Sequence, residues 1–163
     1  MRFQQKVALV TGGANGIGAK TATFLAQEGA HLVLLDRNEV KLQETAQQLR
    51  TTGVEILTFK VDITNKSLVN EAVQKAVDHF KKIDILINCA GILQDNLLPN
   101  LKEEEWDAVL DVNLKGAFLI TQAVAPYMIE QNRGNIVLIS SMAALGAKGR
   151  VNYAAAKAGI QGM

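Results

Sequence analysis

Cysteine is nearly missing from this sequence. Cys89 is the one thiol among 163 residues, so no internal disulfide can form and a reducing compartment suits the chain. Histidine is as scarce. His31 and His79 stand far apart, and with a single cysteine they leave no ligand set for a structural zinc site; no metal is expected. Neither sign of charge dominates: 17 Lys and Arg against 16 Asp and Glu give a formal net charge of +1. That balance lacks the basic surplus with which nucleic-acid binders neutralise phosphates, and it offers no polybasic patch for an acidic membrane. Long apolar runs are also lacking. The longest, Gly116 to Ile129, is interrupted by Thr121, Gln122 and Pro126, is too short to span a bilayer, and reads as a buried helix. The run Val7–Val10 near the N-terminus is too short for a signal-peptide core. What remains is the expectation of a soluble, cytoplasmic protein.

What the sequence does have is alternation. Short apolar runs at Val7–Val10, Leu32–Leu35, Ile56–Val61, Ile83–Ile87 and Ile136–Ile139 are separated by segments of helical period. Near-continuous Val, Ile and Leu is what strands need when helices cover both faces of a parallel sheet. Between the third and fourth runs, Leu68, Ala72, Val73, Ala76, Val77 and Phe80 form one helical stripe. Gly29 stands where a glycine would end the first helix, and Asn100 with Glu103 reads as the start of the helix carrying Trp106, Val109 and Leu110. Trp106 and Phe118 are expected in the core, whereas His31 and His79 are expected in packing or surface roles. Only Pro99 and Pro126 punctuate the chain, and no linker or repeat appears. Strand–helix alternation repeated five times implies right-handed crossovers and an α/β, doubly wound parallel sheet of the Rossmann type, one domain over 1–163. The last helix begins near Asn152 and reaches Gly162-Met163 without a capping signal, so the sequence reads as cut at its C-terminal end.

Two constellations carry chemistry. The first strand runs into Thr11-Gly12-Gly13-Ala14-Asn15-Gly16-Ile17-Gly18 and a helix follows. Glycines there permit a tight turn and let the backbone approach a pyrophosphate at the positive end of the helix dipole; the plainer reading is an ordinary strand–helix turn. Asp36 ends the next strand, 18 residues beyond Gly18, where a carboxylate can accept the hydroxyls of an adenosine ribose; alternatively it is a first-turn helix acid beside Asn38. In Tyr153-Ala154-Ala155-Ala156-Lys157 the phenol and the ammonium lie four residues apart on one helix face, and a nearby ammonium favours a phenolate. Ser140-Ser141 ends the fifth strand at the edge where α/β folds bind ligands, although two serines there also make turns.

Gly12-x-x-x-Gly16-x-Gly18, Asn88-Cys89-Ala90-Gly91, Asn113, Ser141 and Tyr153-x-x-x-Lys157, in that order from Lys6 to Met163, resemble the short-chain dehydrogenase/reductase family. Within it, Asp95-Asn96-Leu97-Leu98, Lys102 to Asp107 and Asn152 to Gly159 look most like the 3-oxoacyl-[acyl-carrier-protein] reductases of fatty acid biosynthesis. The resemblance implies an NAD(P)-dependent oxidoreductase and assigns roles. Tyr153 would be the general acid that protonates a carbonyl oxygen, Ser141 would hydrogen-bond that oxygen, and Lys157 would hold the nicotinamide ribose. Asn113 would hold a water in a proton relay. Gly12, Asn15, Gly16, Ile17 and Gly18 would cradle the pyrophosphate, Asp36 and Arg37 would meet the adenosine ribose, Asp62 and Ile63 the adenine, and Asn88, Ala90 and Gly91 the cofactor at the end of the fourth strand. The cofactor expected is NAD, because Asp36 would repel a 2′-phosphate and Asn15 is not basic; Arg37, which could pair with that phosphate, keeps NADP open. The resemblance also implies a small-molecule or acyl-carrier-bound carbonyl substrate and a homo-oligomer, a tetramer in the full-length protein. A dehydrogenase of a sugar, polyol or steroid alcohol is the alternative enzyme, and a catalytically silent dinucleotide-binding subunit the alternative outside catalysis. Two departures stand out. Cys89 occupies a position where many members carry asparagine and reads as inert core. Tyr153 lies 12 residues after Ser141 and 13 after Ser140, so the strand favours Ser141 and the spacing favours Ser140.

Overall fold

Each of the five apolar runs forms a parallel strand in the computed structural model, which describes residues 1–163. They are β1 (Val7–Thr11), β2 (His31–Asp36), β3 (Ile56–Lys60), β4 (Ile85–Asn88) and β5 (Asn135–Leu138). The sheet order is β3-β2-β1-β4-β5, with Val10 opposite Leu34 on one side and Ile87 on the other. The chain therefore winds one way from β1 to β3 and the other way through β4 and β5. The direction reverses between β1 and β4, and their carboxyl ends frame the crevice in which folds of this type bind ligands.

The helices between the strands are α1 (Gly16–Gln27), α2 (Glu39–Leu49), α3 (Lys66–Phe80), α4 (Glu103–Leu110), α5 (Gly116–Glu130) and α6 (Val151–Gln161). Alternate residues of one strand serve two cores, because successive strand side chains point to opposite faces. Ala8 and Val10 of β1 pack with Leu32, Leu34 and the buried residues of α1 and α2. Val7 and Leu9 pack on the other face with Val33, Leu86, Val69 and Val73 of α3, and Ile120 and Val124 of α5. In α3 the buried stripe is Val69, Ala72, Val73 and Ala76; Leu68, which shares the helical spacing, sits one step round the helix and is exposed.

Three sequence expectations need correction here. The helix of Trp106 begins at Glu103, not at Asn100: Glu105 Oε2 accepts the Lys102 backbone N–H at 3.0 Å, and Asn100 belongs to a 3₁₀ turn, Leu98–Asn100, where its carbonyl accepts Asn96 Nδ2. Trp106 and Phe118 are exposed, since they lie on the outer side of the helix whose inner side carries Val109, Ala117 and Ile120. Finally, α4 and α5 are one helix. A π-helical turn, Asp111–Lys115, joins them into 28 residues, long and apolar enough by length and composition to cross a membrane, with Val109, Leu119, Ile120, Val124 and Met128 buried against the fold.

The amino-terminal edge of the sheet is closed by one side chain. Asp84, just before β4, accepts the Val7 N–H at 3.0 Å and sits 2.8 Å from Arg133, 3.2 Å from Lys6 and 3.3 Å from Lys82. Its own carbonyl accepts the Asn135 N–H, so a single residue aligns the starts of β1, β4 and β5. Burial alone would raise its pKa; the Val7 amide and the three cations outweigh burial and hold it below the usual carboxylate value.

Candidate active site

A cleft of about 370 Å³ opens at the carboxyl ends of β1, β2 and β4. It gathers Gly12, Asn15, Gly16, Ile17 and Gly18 from the turn after β1, Asp36 and Arg37 from β2, Asp62 and Ile63 after β3, and Ala90 and Gly91 after β4. The turn needs its glycines for two different reasons. Gly16 has φ +57 and nothing within 4 Å of where a Cβ would stand, so the backbone there faces open space. At Gly18 a Cβ would collide with the Gly12 carbonyl, so no side chain fits where α1 leaves the turn. The open N-terminal end of α1 faces the cleft with no acid in its first turn and no side-chain cap at Asn15. Unsatisfied N–H groups and the helix dipole together favour an anion at that point.

Asp36 holds the turn from the side. Its Oδ2 accepts the Ala14 N–H at 3.1 Å and its Oδ1 the Asn38 N–H at 2.9 Å. A carboxylate has about four lone-pair sites, so two remain for hydroxyl donors. Asp62 is held ionised below the usual carboxylate range chiefly by the Thr64 backbone N–H at 2.9 Å and the Thr64 hydroxyl at 2.7 Å, with Arg37 adding attraction.

Asn88 stands apart from the lining. It is buried, and its Oδ1 accepts the Thr11 hydroxyl proton at 2.6 Å, while Thr11 Oγ1 accepts the Ala90 N–H at 3.1 Å. Asn88 thus ties β4 to β1 behind the cleft, and Cys89, expected in the core, lines the cleft in its place. Burial pushes the Cys89 thiol up, which keeps it protonated and a poor nucleophile. The polar Thr11 ending an apolar run was the available signal for this lock.

The second group of residues lies beyond the lining of that cleft, toward β5 and α6. Lys157 is almost fully buried and its Nζ donates to the Ile139 carbonyl at 2.6 Å, with the Tyr153 ring centroid 5.6 Å away. Desolvation lowers its pKa below the ordinary lysine value. An ammonium has three protons, so two donors stay free for other partners. The two serines are unequal. Ser140 donates its proton to the Lys157 backbone carbonyl at 2.8 Å, whereas Ser141 accepts the Ala143 N–H at 3.1 Å and keeps its own proton to give.

Asn113 sits in the π-helical turn and is fully buried. Its Oδ1 accepts the Ile92 N–H at 2.8 Å and its Nδ2 donates to the Ile92 carbonyl at 2.9 Å, so the side chain holds the loop after β4. One Nδ2 proton and one Oδ1 lone pair remain uncommitted. Sequence reasoning gave no role of its own to Asn152, also fully buried, whose amide donates to backbone carbonyls remote in sequence.

The family model for short chain dehydrogenase matches residues 6–163. A 3-oxoacyl-[acyl-carrier-protein] reductase of Thermotoga maritima is 43% identical over 100% of this chain and 67% of its own length. A (2S)-[(R)-hydroxy(phenyl)methyl]succinyl-CoA dehydrogenase subunit of Thauera aromatica is 43% identical, with 100% of this chain and 66% of the relative covered. Among solved structures, NAD+-bound xylitol dehydrogenase superposes with a TM-score of 0.96 at 36% identity, over 98% of this chain and 62% of that one. A carveol dehydrogenase from Mycobacterium avium in complex with NAD gives 0.95 at 30% identity, over 99% and 64%. The chain thus spans about two thirds of the length of the relatives it matches.

Proposed function

We propose that this chain, which belongs to the short chain dehydrogenase family, serves an oxidoreductase that moves a hydride between a nicotinamide dinucleotide and a carbonyl or secondary alcohol, and that its substrate is a 3-oxoacyl thioester. The observation that carries the reading is the meeting, at one sheet edge, of a glycine-turn cleft rimmed by Asp36 with a helix bearing Tyr153 and a buried Lys157. The residues fit a dinucleotide. An open-faced glycine and an uncapped helix end suit a pyrophosphate, and the free lone pairs of Asp36 suit ribose hydroxyls. Asp36 would repel a 2′-phosphate, so NAD(H) is the preferred form.

The bound nicotinamide supplies or takes the hydride; the protein positions and polarises. Ser141, with its proton uncommitted, donates to the substrate carbonyl oxygen and orients it. Tyr153 gives its phenolic proton to the same oxygen during reduction and receives it back during oxidation. Lys157, anchored on Ile139, would hold the ribose hydroxyls with its two remaining donors. Asn113 fixes the loop after β4 through Ile92 and would hold a relay water. The whole protein, on this reading, is a cytoplasmic homo-oligomer, a tetramer.

The thioester is favoured because two relatives at 43% identity carry names of enzymes acting on carrier- or coenzyme A-bound acyl groups. A second reading, oxidation of a polyol, is favoured by the likeness to xylitol dehydrogenase. Following reduced-nicotinamide absorbance with a 3-oxoacyl thioester beside a panel of polyols separates them. We expect turnover with the thioester; turnover of polyols alone makes the second reading correct. Dinucleotide binding without any turnover would instead mark a silent subunit.

A further inference from the structure

We infer that Asn152 is a positioning residue that sets where Tyr153 stands, by clamping the first turn of α6 to the loop after β4 and to α4. The inference rests on the reading of Tyr153 as the proton donor. Helix α6 has no side-chain cap at Arg150, and its early N–H groups would otherwise want partners. Asn152 Oδ1 takes the Tyr153 N–H at 2.8 Å. Its Nδ2 donates at once to the Gln94 carbonyl at 3.0 Å, in the loop after β4, and to the Glu105 carbonyl at 3.2 Å, in α4. Both donor protons and the acceptor of one fully buried amide are therefore engaged, on three separate stretches of chain.

Neighbouring contacts pull the same way. Arg150 Nε lies 2.8 Å from Asp95 Oδ2, and Asn96 N–H donates to the Gly149 carbonyl at 2.8 Å. These two sit at the rim, where the Arg150–Asp95 pair is exposed and worth little. Asn152 lies inside and has no substitute, because a water would need the space the amide fills. No hydrogen bond joins it to the Ser141 hydroxyl or to Lys157; its influence runs through the backbone of Tyr153. A displacement of about 1 Å in a reacting group can cost roughly a hundredfold in rate, which is the scale on which such a clamp matters.

The geometry orders three variants. Asn152→Ser keeps an acceptor for the Tyr153 N–H and one proton for a carbonyl. Asn152→Ala keeps neither. Asn152→Asp keeps the acceptor but sets a carboxylate against two carbonyl oxygens. We expect kcat in the purified protein, with the 3-oxoacyl thioester, to fall about 10- to 100-fold in Asn152→Ala and further in Asn152→Asp, with Asn152→Ser recovering most of the loss. NADH affinity should fall far less than kcat, because most of the cleft, around Asp36 and the glycine turn, belongs to β1, α1 and β2, which Asn152 does not hold. Hydrogen–deuterium exchange gives a readout independent of turnover: the peptide spanning 150–158 should lose protection in Asn152→Ala, while peptides from β1 and α1 keep theirs. Asn152→Ala with unchanged kcat and unchanged exchange at 150–158 overturns the inference. So does a loss of kcat that tracks a matching loss of NADH-binding sites, which would mean unfolding. Tyr153→Phe, assayed alongside, separates the two claims. Full turnover there overturns the reading on which the clamp depends; a dead Tyr153→Phe beside an unimpaired Asn152→Ala overturns the clamp alone.

Discussion

The two ends of β4 are built from the same kinds of atoms and put them to opposite use. At the amino end, both carboxylate oxygens of the buried Asp84 are taken up by three cations and a backbone amide. At the carboxyl end, polar groups are held but not exhausted: Asp36 keeps lone pairs, Ser141 keeps a proton, Lys157 keeps two, and Gly16 faces open space. A fully satisfied polar cluster rigidifies, whereas a partly satisfied one in a cleft is a place for a ligand. The difference between a strut and a site is thus read from what remains unbonded.

Breaking the open end should show in rate. Tyr153→Phe removes one hydroxyl and is expected to lower turnover by about 10²–10⁴-fold, the usual worth of general acid catalysis, with the melting temperature and NADH affinity unchanged. Near-normal turnover in that variant would remove Tyr153 from the chemistry.

Breaking the closed end should show in stability. Asp84→Asn leaves Lys6, Lys82 and Arg133 without their counter-charge and is expected to cost about 3 kcal/mol in denaturant unfolding at neutral pH, with NADH affinity unchanged. The pH dependence has a fixed sign. The folded carboxyl titrates below its unfolded value, so its contribution is complete above about pH 4 and is lost as the pH falls through the folded value. The gap between parent and variant should therefore close under acid conditions; a gap that widened there would contradict the assignment.

Asp36→Ala sharpens the comparison within the site. Losing the carboxylate should narrow the preference for NADH over NADPH by about tenfold, or 1.4 kcal/mol, in titrations with both. Tighter NADPH binding by the parent protein would overturn the preference itself. The smallest effect belongs to Cys89→Ala. A protonated thiol that only fills space should leave turnover within about twofold, and a larger fall would give Cys89 a part in the site.

How much of this was legible in the sequence depended on how local the cause was. Strands with apolar residues on both faces announced themselves, because a helix on each side demands continuous Val, Ile and Leu, and all five fell where the runs lie. The glycine turn and Asp36 were legible for the same reason, as each is fixed by its own few neighbours. The start of α4 was not. Asn100 and Glu103 have the spacing of a cap, but Glu105 supplies the bond to Lys102, and spacing alone cannot tell which acid will turn back. Trp106 and Phe118 misled by size, since a large aromatic says nothing about which side of a helix meets the sheet. The difference between Ser140 and Ser141 lies in the Lys157 carbonyl, 17 residues from Ser140, which takes the Ser140 hydroxyl proton. Asn152 was invisible because its partners, Gln94 and Glu105, are contacted through carbonyls that any residue would offer.

The π-helical turn at Asp111–Lys115 bears on which insertions and deletions the fold can survive. A regular helix advances its side chains by roughly 100° per residue, and one residue too many changes the phase of everything after it. Here that phase change lets a single rod turn α4 toward α6 and α5 toward α3. Removing one residue from 111–115 would regularise the backbone and swing one half of the rod away from its partner, so the two packing contacts depend on one irregular length and the residue count is held in register from both ends.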